Sequence, residues 1–366
     1  MGRIHSQQLE RWLGADKIEH IQRAMRGWYY RPICLLDVPG SVWVTADGDF
    51  VGSFRGGYFM SALDAARELW RRVGRPQYGF AGAGFASISD ILLRASTGYS
   101  QYQNFQKVGP TGVVAATSTL WRVGNTPVAG SAGAAAPGGT VHVGSDTGAL
   151  KFNNPASGTL HLTGADATCN IVNNALLLYD RLFSVAKTMN STSTEAVTGV
   201  PSRYASTTTT APDFIGGNFG FIEVGGTALA ATAHNWTVCT YTDQANASST
   251  LPSVTGNSAG IVDRLDQPVG QWFVNLEAGD VGIKAWTQMQ CSAAVATGAI
   301  NFCIGHPIGF MLFPIINTMF PFDWITNRDL APRIFDNACL SFLEVCKPAT
   351  SATTYTGRIV ATNAAA

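Results

Sequence analysis

Residues 300 to 325 read INFCIGHPIGFMLFPIINTMFPFDWI, and His306 to Ile325 form the longest apolar stretch of the chain. It is about as long as a bilayer is thick. Pro307, Gly309, Pro314, Pro321 and Asp323 interrupt it, however, and each proline removes a backbone donor and blocks helix continuation. The passage therefore reads as strand and loop rather than a membrane helix, with strands over Ile300 to Ile304 and Gly309 to Ile315.

Working outward, the same short apolar pattern recurs. Thr119 to Val123, Thr159 to Leu162, Leu176 to Val185, Phe219 to Val224 and Trp236 to Tyr241 precede it, as do Gln271 to Leu276 and Val281 to Ala294. Ala338 to Val345 and Thr354 to Ala361 follow it. All are β-branched or aromatic, and Gly, Asn, Ser and Pro clusters separate them. Such spacing predicts a mainly β protein built as a β-sandwich, jelly-roll-like, as one sandwich or two. Ala296-Thr297-Gly298 suits a three-residue hairpin loop, which would set Cys291 and Cys303 opposite each other as free thiols. Gly124 to Gly139 is a Gly/Ala-rich run with no core of its own, expected to be mobile or ordered by a neighbouring subunit.

The first 76 residues differ. Leu9, Trp12, Leu13, Ile18, Ile21 and Met25 recur at mostly helical spacing, Ile33 to Phe54 reads as a hairpin around Asp47-Gly48-Asp49, and Met60 to Val73 is an amphipathic helix. They predict a small α+β module over residues 1–76. A β-rich domain over 77–235, containing the Gly124 to Gly139 loop, and a β-sandwich domain over 236–366 should follow. Between them Ser87 to Ala95 reads as a short helix burying Ile88, Ile91 and Leu92.

Asp, Glu, Lys and Arg make up only 13% of the 366 residues, against about 25% in an ordinary soluble protein. Formal net charge is zero, so composition supports no specific nucleic-acid partner. The seven cysteines form no CxxC pair, which leaves neither a zinc ribbon nor a disulfide framework. No secretory signal opens the chain, so synthesis in a cytoplasm is expected. His5, His20, His142, His161, His234 and His306 lie scattered, with no metal-ligand spacing. His161 could meet His142 across strands, but a structural role is favoured. Gly82-Ala83-Gly84 lacks the rest of a phosphate-binding loop. Asp213, Glu223, Asp263, Asp266, Glu277 and Asp280 fall in or near strands and loops and could supply a carboxylate pair for glycoside hydrolysis, but turn capping accounts for them better. These readings predict no enzyme, no cofactor and no metal site.

Four stretches carry a resemblance: FASISDILLRA from Phe85, VPSRY ending at Tyr204, TYTDQ over Thr240 to Gln244, and PRIFDNACLSFL over Pro332 to Leu343. They resemble segments of virion structural proteins of tailed bacteriophages, over roughly residues 80 to 366. The resemblance implies a particle component made in the bacterial cytoplasm and displayed on a capsid or tail, with no cofactor. The long charged spine helix of a major capsid protein is not visible after residue 95, which favours a decoration or cement protein of the head shell. A major capsid or tail-tube subunit is the first alternative, and a glycan-binding tail adhesin or depolymerase the second. Expected partners are copies of the chain itself and other capsid or tail subunits, with no membrane. The expected docking residues are Trp12, Trp28, Tyr29, Trp70, Arg67 and Arg71, since Trp, Tyr and Arg concentrate in binding hot spots.

Overall fold

The computed structural model describes residues 42–44, 51–55, 58–60, 85, 88–325, 331–345 and 347–364. The chain divides into two compact units, Met1–Pro76 and Gln77–Ala366. In the first, β1 (Val42–Val44), β2 (Val51–Arg55) and β3 (Tyr58–Met60) form an antiparallel meander. Val42 lies opposite Ser53 and Ser53 opposite Met60, so β1 and β2 are the two arms expected within Ile33 to Phe54. Both expected helices of this unit, the Asp47-Gly48-Asp49 turn and Gly82-Ala83-Gly84 lie outside the described residues.

The second unit is mainly β, a sandwich of antiparallel sheets. Its centre is β8 (Asn174–Thr188), flanked by β15 (Ala299–Phe313) and β18 (Leu340–Val345). Side chains on both faces of β8 are buried from Asn174 to Val185, which explains its continuous apolar run: a strand covered on both sides has no face to leave polar. β10 (Phe219–Val224), β5 (Ser118–Thr119) and β6 (Thr140–Val141) complete this six-stranded sheet.

Two five-stranded sheets pack on it. One joins β16 (Phe320–Asp323), β7 (Leu160–Cys169), β19 (Thr353–Asn363) and β4 (Ser100–Gly109), with β17 (Arg333–Ile334) paired to β7. The other joins β12 (Ser248–Thr250), β11 (Asn235–Asp243), β14 (Ile283–Cys291) and β9 (Glu195–Ala196), with β13 (Val254–Thr255) paired to β11. One core cluster spans all three sheets. In it Phe302 meets Trp236 and Trp286 edge-on, while Phe313 meets Phe322 and Tyr355. Gly220 lets the second sheet approach, because a Cβ there would lie 2.6 Å from the Trp286 ring. On the opposite face of the central sheet Tyr179, Phe219, Phe221 and Leu343 form a second cluster, covered by Leu265, Trp272 and Phe273.

Four expectations change. Every sheet of this unit contains strands from both 77–235 and 236–366, so the expected boundary at residue 236 falls inside a shared core. β14 and β15 are not a hairpin: Cys291 lies opposite Trp236 in one sheet, and Cys303 opposite Phe221 and Ser184 in another. Both strands are buried against other partners, and the seven residues between them cross from sheet to sheet. Both thiols are free and buried. In the helix α1 (Ile88–Ser96) Ile91 is buried, but Leu92 is 52% exposed. Lastly, the Gly/Ala-rich run is held by its own chain. Trp121 Nε1 donates to the Ser131 carbonyl at 2.7 Å, Ala186 N to Ala134 O at 2.9 Å, and Gly133 N to Asn301 Oδ1 at 3.2 Å. Small residues are what the site requires, since a Cβ on Gly130 would overlap the Trp121 ring.

Candidate functional site

The six expected docking residues, Trp12, Trp28, Tyr29, Trp70, Arg67 and Arg71, lie outside the described residues. What the described residues bring together is an ionic interior and an apolar end.

The interior centres on Arg181, on the middle of β8. Its guanidinium grips Glu223 of β10 through Nη2 to Oε1 at 2.6 Å and Nη1 to Oε2 at 3.0 Å, with both side chains fully buried. Burial alone would push the Glu223 carboxyl up, but Arg181 outweighs it and holds the carboxyl below its usual range. Asn301 donates to Glu223 Oε1 at 3.0 Å, and Arg181 Nε donates to His142 Nε2 at 3.2 Å. His142 therefore accepts at Nε2 and donates from Nδ1 to Asp146 Oδ2 at 2.8 Å. Its pKa falls to about 4 through burial and the Arg181 charge, despite Asp146. One residue before Arg181, Asp180 takes a bidentate pair from Arg203 at 2.8 and 2.7 Å and a bond from Cys339 N. Tyr204 stacks flat on His306 at 3.7 Å, so the VPSRY phrase closes this core.

Other buried ionic groups are equally committed. Asp266 accepts from His234 Nε2 and Trp236 Nε1, both at 2.9 Å. His234 Nδ1 faces the Thr232 carbonyl at 3.0 Å, so both ring nitrogens donate and the imidazole is cationic. Burial opposes that charge, but the bonds to Asp266 and Thr232 prevail and raise its pKa. Glu344 accepts from Asn174, Tyr355 and Lys347.

Among the six carboxylates weighed above, Glu223 and Asp266 are thus fixed by cations, and Asp280 accepts the Tyr241 hydroxyl at 2.6 Å. Asp263 differs: burial, then Glu223, raises its pKa to about 6. His161 and His142 have separate partners, His161 bonding Thr159 and the Ala331 carbonyl. His142, Asp146 and Cys339 do place three ligand atoms within 4.8 Å of one another. A cation there would displace the His142–Asp146 bond, ionise a thiol whose pKa burial and Asp180 hold well up, and sit beside Arg181. The donor set suits a hydrogen-bond network better than a metal.

The apolar end gathers turns distant in sequence. Asn173 N donates to Phe313 O at 2.7 Å and Asn317 N to Cys169 O at 2.8 Å, joining the β7–β8 turn to the loop after β15. Asn173 and Asn317 both have left-handed backbones, φ 59° and 52°, a conformation asparagine tolerates. Asn170 N reaches Thr354 O, Gly112 N reaches Thr350 O, Ala115 N reaches Lys347 O and Gly270 N reaches Ala115 O. The strand ends of the central sheet and of the sheet containing β7 thus share one rim. Val113, Val114 and neighbouring Val269 stand out from it, as do Val172 and then Leu312, Ile315, Ile316 and Met319, each between 42% and 56% exposed. Lys347 is the one charged residue in these turns, and it is buried. The periodicity of each strand cannot announce this rim; its only local signal is an apolar turn, as in Pro314 to Met319.

No protein-family model matches the chain, and no curated protein matches it. Among solved structures, the infectious bursal disease virus VP2 subviral particle aligns over 72% of this chain and 80% of its own, at 7% identity and a TM-score of 0.14. The structure of the infectious bursal disease virus Gt strain aligns over 72% and 81%, at 7% identity and a TM-score of 0.13. TM-scores this low do not define a shared topology.

Proposed function

We propose that this chain is a non-enzymatic structural subunit of a tailed-bacteriophage virion, a decoration protein or other component of the head shell, made in the host cytoplasm. The observation that carries this reading is the uncharged apolar rim on a body that is itself poor in charge. Residues 77–366 contain 29 Asp, Glu, Lys and Arg residues. Among the described residues ten of these are buried in the interior, so the outer surface is more charge-depleted than composition suggests. A contiguous apolar surface on a soluble fold marks a place where another molecule sits. Repeated by symmetry, such a rim would hold the subunit through many individually weak contacts. Ion pairs, which lose solvation on burial, would add little there.

Quantitative mass spectrometry of purified virions tests the assignment. A copy number that is a fixed multiple set by the shell lattice is expected. A handful of copies per particle, or none, would overturn it.

A further inference from the structure

The sheet built from β16, β7, β19 and β4 has an outer face that the core does not use and that meets the apolar rim at Met319. Strand alternation and register set Tyr102, Asn104 and Gln106 of β4 beside Val360, Arg358 and Thr356 of β19, and those beside Gly164, Asp166 and Thr168 of β7. A depression of about 660 Å³ lies on this face, and a second of about 400 Å³, lined by Thr126 to Val128 and Thr147 to Lys151, adjoins it beyond the β4 edge, sharing Asn104 and Thr126. Both volumes lie within the range of ligand sites, roughly 300–1,000 Å³, and together they make a trough rather than a single pocket.

Its chemistry is specific. The side-chain amides of Asn104 and Gln106 and the hydroxyl of Thr356 have no hydrogen-bond partner among the described residues. Thr168 Oγ1, opposite Thr356, is shielded from solvent and also unpartnered. Arg358 Nε pairs with Asp166 Oδ2 at 2.7 Å. That pair cancels the net charge of the floor and leaves Oδ1 and both Nη groups to contact a ligand. Beside the trough, two residues along β4 from Asn104, Tyr102 is 54% exposed, with the Arg358 guanidinium over one side of its ring at 5.5 Å.

We infer that this trough binds a neutral oligosaccharide. A sugar hydroxyl both donates and accepts, as does a carboxamide, and the apolar face of a pyranose ring packs on an exposed aromatic that keeps a polar tip. A nucleic acid would need several unpaired cations along the groove, whereas here Arg358 is already paired and Lys151, at one end, is the other cation in the lining. A peptide strand adding to the edge of β4 is blocked at its middle, where Gln106 and Thr126 exchange backbone bonds of 2.7 and 3.1 Å.

Calorimetric titration of the full chain with maltohexaose, cellohexaose and chitohexaose tests this. At least one should bind. Tyr102→Ala and the double variant Asn104→Ala/Gln106→Ala should each weaken it about tenfold or more, or about 1.4 kcal/mol, without changing the melting temperature. Tyr102→Phe should retain binding. If none of the three sugars binds, or if the variants bind like wild type, the inference fails. Virion copy number is untouched by either result, so the structural role and the trough stand or fall separately.

Discussion

The middle of β8 and the rim at its beginning invert the usual placement of side chains. Around Arg181 the protein encloses a glutamate and a histidine in one network, with Asp146 at its partly exposed edge. Beyond the start of that strand, in the turns that meet at the rim, valines, isoleucines and a methionine are exposed to solvent. The contrast separates two tasks. Buried ionic pairs add little net stability, because desolvation offsets attraction, but breaking one leaves a charge stranded. The interior network thus fixes which strand pairs with which, while the rim remains available for contact between molecules.

The interior half of this contrast should give the largest effect. Arg181→Met leaves Glu223 buried without its cation and should destabilise the protein by about 3–5 kcal/mol in urea unfolding. Adding Glu223→Leu should recover much of that loss. A double variant as unstable as the single one would mean that packing, not charge, dominates there.

Acid should open the same interior. His306 is fully buried, donates to Asn218 Oδ1 at 2.9 Å, and burial lowers its pKa from 6.5 to about 3. His142 is lowered to about 4. Groups depressed on folding contribute stability that is complete above their unfolded pKa near 6.5 and is lost as pH falls through the folded values. Stability should therefore drop between pH 6.5 and 3, with His306 accounting for on the order of 4 kcal/mol. Unfolding titrations of His306→Gln should show a flatter pH slope over that interval; an unchanged slope would contradict the assignment.

The rim should respond in the opposite way. Ile315→Asp and Ile316→Asp alter exposed turn residues and should change stability by no more than about 0.5 kcal/mol, while abolishing incorporation into particles. Loss of folding in these variants would show that the rim belongs to the core.

Much of this architecture is legible in the sequence. Phe219 to Val224 is a strand with the bounds its sequence suggests, and the proline-broken run from His306 ends β15 and then supplies β16. The errors share a cause in tertiary context. β4, SQYQNFQKVG, has too many amides to read as a strand, yet it pairs with β19 along its whole length, and Lys107 is buried there, donating to the Val123 and Pro127 carbonyls. Gln271 to Leu276 has strand composition but forms no strand. The symmetric spacing of Cys291 and Cys303 suggested a hairpin because local pattern cannot tell a turn from a crossing between sheets. Glu223 and Asp266 were visible as acids, but their cations, Arg181 and His234, lie 42 and 32 residues away. The rim was beyond reach for the same reason, since its turns meet only after the strands pair.

The most direct test of a covered apolar rim is hydroxyl-radical footprinting of the free chain and of intact particles. Met319, Ile315 and Ile316 should be labelled in the free chain and protected at least about tenfold in particles, while Tyr102, on the outer sheet face, stays labelled in both. Equal labelling of Met319 and the two isoleucines before and after assembly would contradict the account.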